Sequence, residues 1–152
     1  MSELPTPETV ASLVSEASEN MWGVPFTLVE GAAGNGATTH AGTHSRRVLL
    51  EMTGANALSV VVSSDEAGGT TLGGIMFACD EKEVNTGMID DSLCELANIL
   101  AGQLKTLMAP SHKLGLPTVL GSKVAFQQSE SSQARLRIGE HAATVWVTVA
   151  AA

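Results

Sequence analysis

Positive charge is scarce in this chain: eight Lys and Arg stand against sixteen Asp and Glu, leaving a net charge of -8 over 152 residues. Phosphate backbones are held by clustered cations, so the shortage excludes a nucleic-acid surface and favours a basic or amphoteric protein partner. Long apolar runs are missing too. Nothing approaches the ~18 consecutive apolar residues of a membrane span, and no apolar signal segment follows Met1, so neither membrane insertion nor secretion is expected. A cytoplasmic protein follows, with its two cysteines, Cys79 and Cys94, reduced. Each stands among apolar residues at helical spacing and reads as a small hydrophobe rather than a reactive thiol. No group of Cys and His has zinc spacing, and His40 and His44, four apart in a loop, lack acidic neighbours, so no metal site is expected. Gly31-x-x-Gly34-x-Gly36 is closed by no Lys-Ser or Lys-Thr and opens no helix, which argues against a nucleotide loop and a bound cofactor. No Ser, His and Asp accompany a strained nucleophile turn.

What is present suffices for one folded domain, residues 1–152, with 44% hydrophobic residues. Val10, Leu13, Val14, Ala17 and Met21 mark the apolar stripe of a helix from Pro7 to Trp22, ended by Gly23. A strand over Val24 to Glu30 and a Gly- and Ala-rich loop from Gly31 to Thr43 follow. Arg47 to Thr53 and Ala57 to Ser63, joined at Gly54-Ala55-Asn56, read as a hairpin. Ser64-Asp65-Glu66 starts a glycine-weakened helix ending near Ala78, which its glycines should allow to fray. After a polar connection, Asp80 to Gly87, a long helix spans Met88 to Met108, capped by Asp90 or a residue just before it and stopped by Pro110. Strands then follow at Leu116 to Leu120, with Val124 to Gln128 as its continuation, at Ala134 to Ile138 and at Ala142 to Val149. His112 and His141 read as turn residues.

The chain repeats itself. Gly54-Ala55-Asn56-Ala57-Leu58-Ser59-Val60-Val61-Val62 parallels Gly139-Glu140-His141-Ala142-Ala143-Thr144-Val145-Trp146-Val147, and superposing Gly23 on Gly102 sets Glu16 against Glu95 and Glu19 against Asn98. The implied fold is α+β, a pseudo-two-fold duplication with half-repeats over roughly 7–63 and 88–149. Six strands would form a mostly antiparallel sheet covered by two long helices, with one shorter helix beside them.

The long helix divides into two faces. At ~100° per residue, Ile89, Leu93, Leu96, Ala97, Leu100, Leu104 and Leu107 gather on one side, and Asp91, Glu95, Asn98 and Gly102 fall near the other. Glu95 and Asn98 project from neighbouring turns toward a common target, and Gly102 removes a side chain that would hold a partner away.

Asp91-x-x-x-Glu95-x-x-Asn98-x-x-x-Gly102-x-x-Lys105, followed by Gly115-Leu116-Pro117-Thr118-Val119-Leu120-Gly121, resembles the signature of the CheC, CheX and FliY chemotaxis phosphatases, and is most similar to CheX. The resemblance implies a phosphatase that hydrolyses the aspartyl phosphate of a phosphorylated CheY-like response regulator in chemotaxis or related two-component signalling. It makes Glu95 and Asn98 the working pair, with Asp91, Gly102 and Lys105 in partner contact, and implies a homodimer formed by joining sheets. An acyl phosphate on a receiver already has a divalent cation and a Lys to neutralise charge, so Mg2+ is expected on the partner, and what hydrolysis lacks is an aligned water. A neutral Asn98 amide can hold that water, where a carboxylate would repel the phosphoryl oxygens; Glu95 would pair with the receiver's Lys. Glu16-x-x-Glu19 has no amide and is expected to be silent. The alternative is an adaptor that binds a receiver or a flagellar switch protein without hydrolysis.

Overall fold

The computed structural model describes residues 4–35, 46–55, 57–108, 111–120 and 130–151. Helix α1, Pro7–Trp22, begins where the Thr6 hydroxyl accepts the Thr9 N–H at 3.1 Å, with Pro7 supplying a preset φ at the first turn. It ends at Gly23, whose φ of 69° is open to glycine at little cost. Strands β1 (Phe26–Asn35), β2 (Arg46–Thr53) and β3 (Leu58–Ser64) follow, then α2 (Glu66–Met76), a single 3-10 turn at Glu81–Glu83, and α3 (Thr86–Met108). Two short strands, β4 (Lys113–Leu114) and β5 (Thr118–Leu120), precede β6 (Glu130–Ile138) and β7 (Thr144–Ala151).

One antiparallel sheet runs β1-β6-β7-β3-β2, with β4 and β5 both paired to the far side of β2. Among the described residues the sheet has seven strands where six were expected. The extra strand arises because the chain after α3 touches β2 twice: the Gly115 N–H donates to the Glu51 carbonyl at 2.8 Å between the two contacts. Read from either edge the order is the same, β1-β6-β7 mirrored by β5-β2-β3. Val62 of β3 lies directly opposite Val147 of β7, at the centre of that symmetry.

The core lies between the helices and one face of the sheet. Alternation along the strands sends Val48, Leu50 and Met52, Val60 and Val62, and Val145, Val147 and Val149 inward, where Val10, Val14, Leu93, Leu96, Leu100 and Leu104 meet them. Each such side chain contributes about 1.5–3 kcal/mol when taken fully out of water. Two members of the expected stripes fall outside this core: Met21 is 53% exposed and Leu107 59%, each in the last turn of its helix.

Other expectations change for local reasons. The Gly- and Ala-rich stretch after Glu30 is strand as far as Asn35, because β6 supplies a backbone ladder that needs no bulky side chains, and Gly31 leaves room for Pro7. The rest of that expected loop, His40 and His44, and Val124 to Gln128 lie outside the described residues. Helix α3 starts at Thr86, where the Asn85 side chain accepts the Met88 N–H at 2.9 Å; Asp90 is inside the helix and caps nothing. His112 lies just past the turn at Ser111 and is buried, its ring against Gly54, whereas His141 does occupy the turn before β7. The glycines of α2 serve close packing. A Cβ on Gly68 would stand 2.1 Å from the Thr144 carbonyl of β7, on Gly69 2.6 Å from Ile89, and on Gly73 2.7 Å from Val84. Their loss of helix propensity, about 1 kcal/mol each against Ala, is exchanged for that approach.

Candidate functional site on the outer face of α3

Helix α3 is anchored to the sheet through its inner face. Leu93, Leu96, Ala97, Leu100, Ala101 and Leu104 are almost completely buried, and the Arg46 guanidinium on β2 grips the Asp90 carboxylate with two bonds, 2.7 and 2.5 Å. The fork geometry matches guanidinium to carboxylate, and the same contact raises the Arg46 pKa further above its ordinary value. The outward residues are thereby held on a rigid element.

Asp91, Glu95 and Asn98 are exposed on that outer face, and Gly102 and Lys105 are half-buried along the same helix. The side chains of Glu95, Asn98 and Lys105 make no hydrogen bond or ion pair with any described residue. A carboxylate and an amide one turn apart, both available, form a two-pronged polar surface. Gly102 sharpens its character: a Cβ built there would meet nothing within 4 Å. An interior helix position held by glycine without internal crowding disfavours the helix by about 1 kcal/mol relative to Ala and leaves the backbone open to close approach.

The half-buried Cys94 belongs to neither face. Burial, then Asp91 and Asp90, push its thiol pKa up, which disfavours the reactive thiolate. Among the described residues no three His, Cys, Asp or Glu side chains group as metal ligands. No helix among them is long and apolar enough to cross a membrane.

A groove of about 490 Å³ runs between the two long helices, with Asn98, Gly102 and Gln103 of α3 facing Ala17, Asn20 and Met21 of α1. Glu19, the repeat equivalent of Asn98, does not line it; the α1 wall is built by Asn20 and Met21. A sequence signal for them exists, since they follow the buried Ala17 by three and four residues and so share its face.

Residues 47–138, from β2 to the end of β6, match the family model of the chemotaxis phosphatase CheX. The chain belongs to the CheX family. The matched span contains all of α3, and with it Asp91, Glu95, Asn98, Gly102 and Lys105. No curated protein matches the chain. Among solved structures, it is similar to the CheX–CheY–BeF3–Mg2+ complex from Borrelia burgdorferi, with 16% identity, a TM-score of 0.71 and coverage of 97% of this chain and 98% of that one. CheX from Desulfovibrio desulfuricans is similar at 11% identity and a TM-score of 0.70, covering 94% and 96%. A chain of the FliM–SpeE complex from H. pylori is similar at 12% identity and a TM-score of 0.62, covering 93% and 80%. At these identities the likeness shows a common α+β fold.

Proposed function

We propose that this CheX-family chain hydrolyses the aspartyl phosphate of a phosphorylated CheY-like receiver domain, with Asn98 as the catalytic amide and Glu95 as the docking carboxylate. The observation that carries the reading is the outer face of α3, where Glu95 and Asn98 stand exposed, one turn apart and with no side-chain partner among the described residues, beside an uncrowded Gly102. The CheX–CheY complex from Borrelia burgdorferi, which holds Mg2+, supports the partner class and a receiver-borne cation.

In the reaction a water oxygen bonds to phosphorus as the bond from phosphorus to the aspartyl oxygen breaks. Inorganic phosphate and a free carboxylate result, and the proton lost by the water passes to phosphate or solvent. The Asn98 carboxamide accepts one hydrogen bond from that water and orients its lone pair in line with the leaving oxygen. Being neutral, it adds no repulsion to the phosphoryl oxygens. Glu95 pairs with a lysine of the receiver and sets the register, while Asp91, Gly102 and Lys105 line the contact. Mg2+ on the receiver supplies charge neutralisation, so this chain need contribute none.

A cytoplasmic location goes with a receiver partner, and a homodimer joined through edge strands is compatible with it, since β1 and the β4–β5 side end the described sheet. The test is phosphate release from a receiver phosphorylated by a small acyl phosphate in Mg2+, with and without the protein. Accelerated release supports the phosphatase; binding without acceleration, across several receivers, would leave an adaptor that binds a receiver without hydrolysis.

A further inference from the structure

The groove between α1 and α3 shares a wall with the proposed water-aligning residue: Asn98 and Gly102 belong to both. A receiver whose phosphate reaches Asn98 therefore brings the rim of its own active site over the groove. Its volume, about 490 Å³, exceeds that of a single side chain. None of the described residues that line it is ionisable, although the chain as a whole carries -8. The charged groups of the docking face, Glu95 and Lys105, lie outside it, as do the exposed Glu16 and Glu19 of α1. An opening kept neutral in an acidic protein suits a neutral occupant.

Its walls specify that occupant further. Met21, more than half exposed in the last turn of α1, offers an unbranched thioether that conforms to apolar shapes. Asn20 and Gln103 bring carboxamides that can donate to and accept from a passing backbone. Gly102 leaves open space where another residue would intrude. We infer that the groove seats a neutral, apolar-tipped loop of the same receiver, and that Met21 and Asn20 determine which phosphorylated receivers are accepted. The inference rests on the phosphatase reading, and it adds α1 as a specificity-determining wall that touches neither water nor phosphorus.

Steady-state kinetics on a phosphorylated receiver test it, with wild type, Met21→Glu, Met21→Leu, Asn20→Ala and Asn98→Ala compared at matched far-UV circular dichroism and melting temperature. Met21→Glu should raise KM for the receiver ~10-fold or more with kcat within about twofold, Asn20→Ala should shift KM in the same direction, and Met21→Leu should stay close to wild type. Unchanged KM in both Met21→Glu and Asn20→Ala, with Asn98→Ala inactive, would overturn the groove while leaving the phosphatase standing. Absence of activity in wild type would remove the phosphatase reading, and this inference with it.

Discussion

Arg46 on β2 and Asp90 on α3 are joined by two hydrogen bonds, Nε to Oδ1 at 2.7 Å and Nη2 to Oδ2 at 2.5 Å, across 44 residues of sequence. The pair ties the first half of the site helix to the sheet. A third of the Arg46 side chain remains in contact with solvent, so screening limits what the pair contributes. Asp90→Ala is expected to cost about 1 kcal/mol, less in high salt, with a coupling of similar size in a double-mutant cycle with Arg46→Ala. Urea denaturation of the two single variants and the double variant measures both.

Two glycines should respond to the same substitution with opposite signs. Gly102→Ala adds a methyl group that meets nothing within 4 Å, so stability should rise by about 1 kcal/mol, or ~2–4 °C in melting temperature. Its phosphatase efficiency should fall, because the same methyl group enters the partner's space. A gain in stability with unchanged activity would deny Gly102 a place in the contact.

Gly68→Ala forces a Cβ to within 2.1 Å of the Thr144 carbonyl, a backbone atom that cannot swing away. It should destabilise by about 1–3 kcal/mol despite improving helix propensity, as overpacking against a fixed neighbour does. Thermal unfolding beside Gly102→Ala reads the contrast directly.

Cys94 should behave as a sluggish thiol. Burial and the neighbouring Asp91 and Asp90 raise its pKa, so the thiolate fraction near neutral pH is smaller than that of a free cysteine and grows only as pH rises. In a Cys79→Ser background, alkylation by iodoacetamide should be slower than that of a free cysteine at the same pH and accelerate toward alkaline pH. Rapid alkylation at neutral pH would contradict this.

Much of this was readable from residue chemistry. Thr6, Pro7 and Gly23 delimit α1 because each satisfies or frees a particular terminal backbone group. The repeat that equates Gly54–Val62 with Gly139–Val147 predicts a symmetric centre, and Val62 and Val147 meet there as cross-strand partners. The exposed face of α3 was legible because leucines at helical spacing leave Asp91, Glu95 and Asn98 no place inside. Less legible were features that side-chain pattern does not encode. The extension of β1 through Gly31–Asn35 is held by main-chain pairing, and β4 is a contact of two residues. Periodicity names the inward face of each helix but not where the core beneath it stops, so it assigns Met21 and Leu107 to a core they lie outside. The groove wall at Asn20 and Met21 required the relative placement of two helices far apart in sequence.

The central claim is that Asn98 aligns the attacking water, and its most direct measurement is phosphate release from a saturating, Mg2+-loaded phosphorylated receiver, with receiver binding measured in parallel. Asn98→Ala should slow release ~10²-fold or more and leave the dissociation constant within about threefold of wild type. Release by Asn98→Ala at the wild-type rate, or a loss explained entirely by weaker binding, would contradict it.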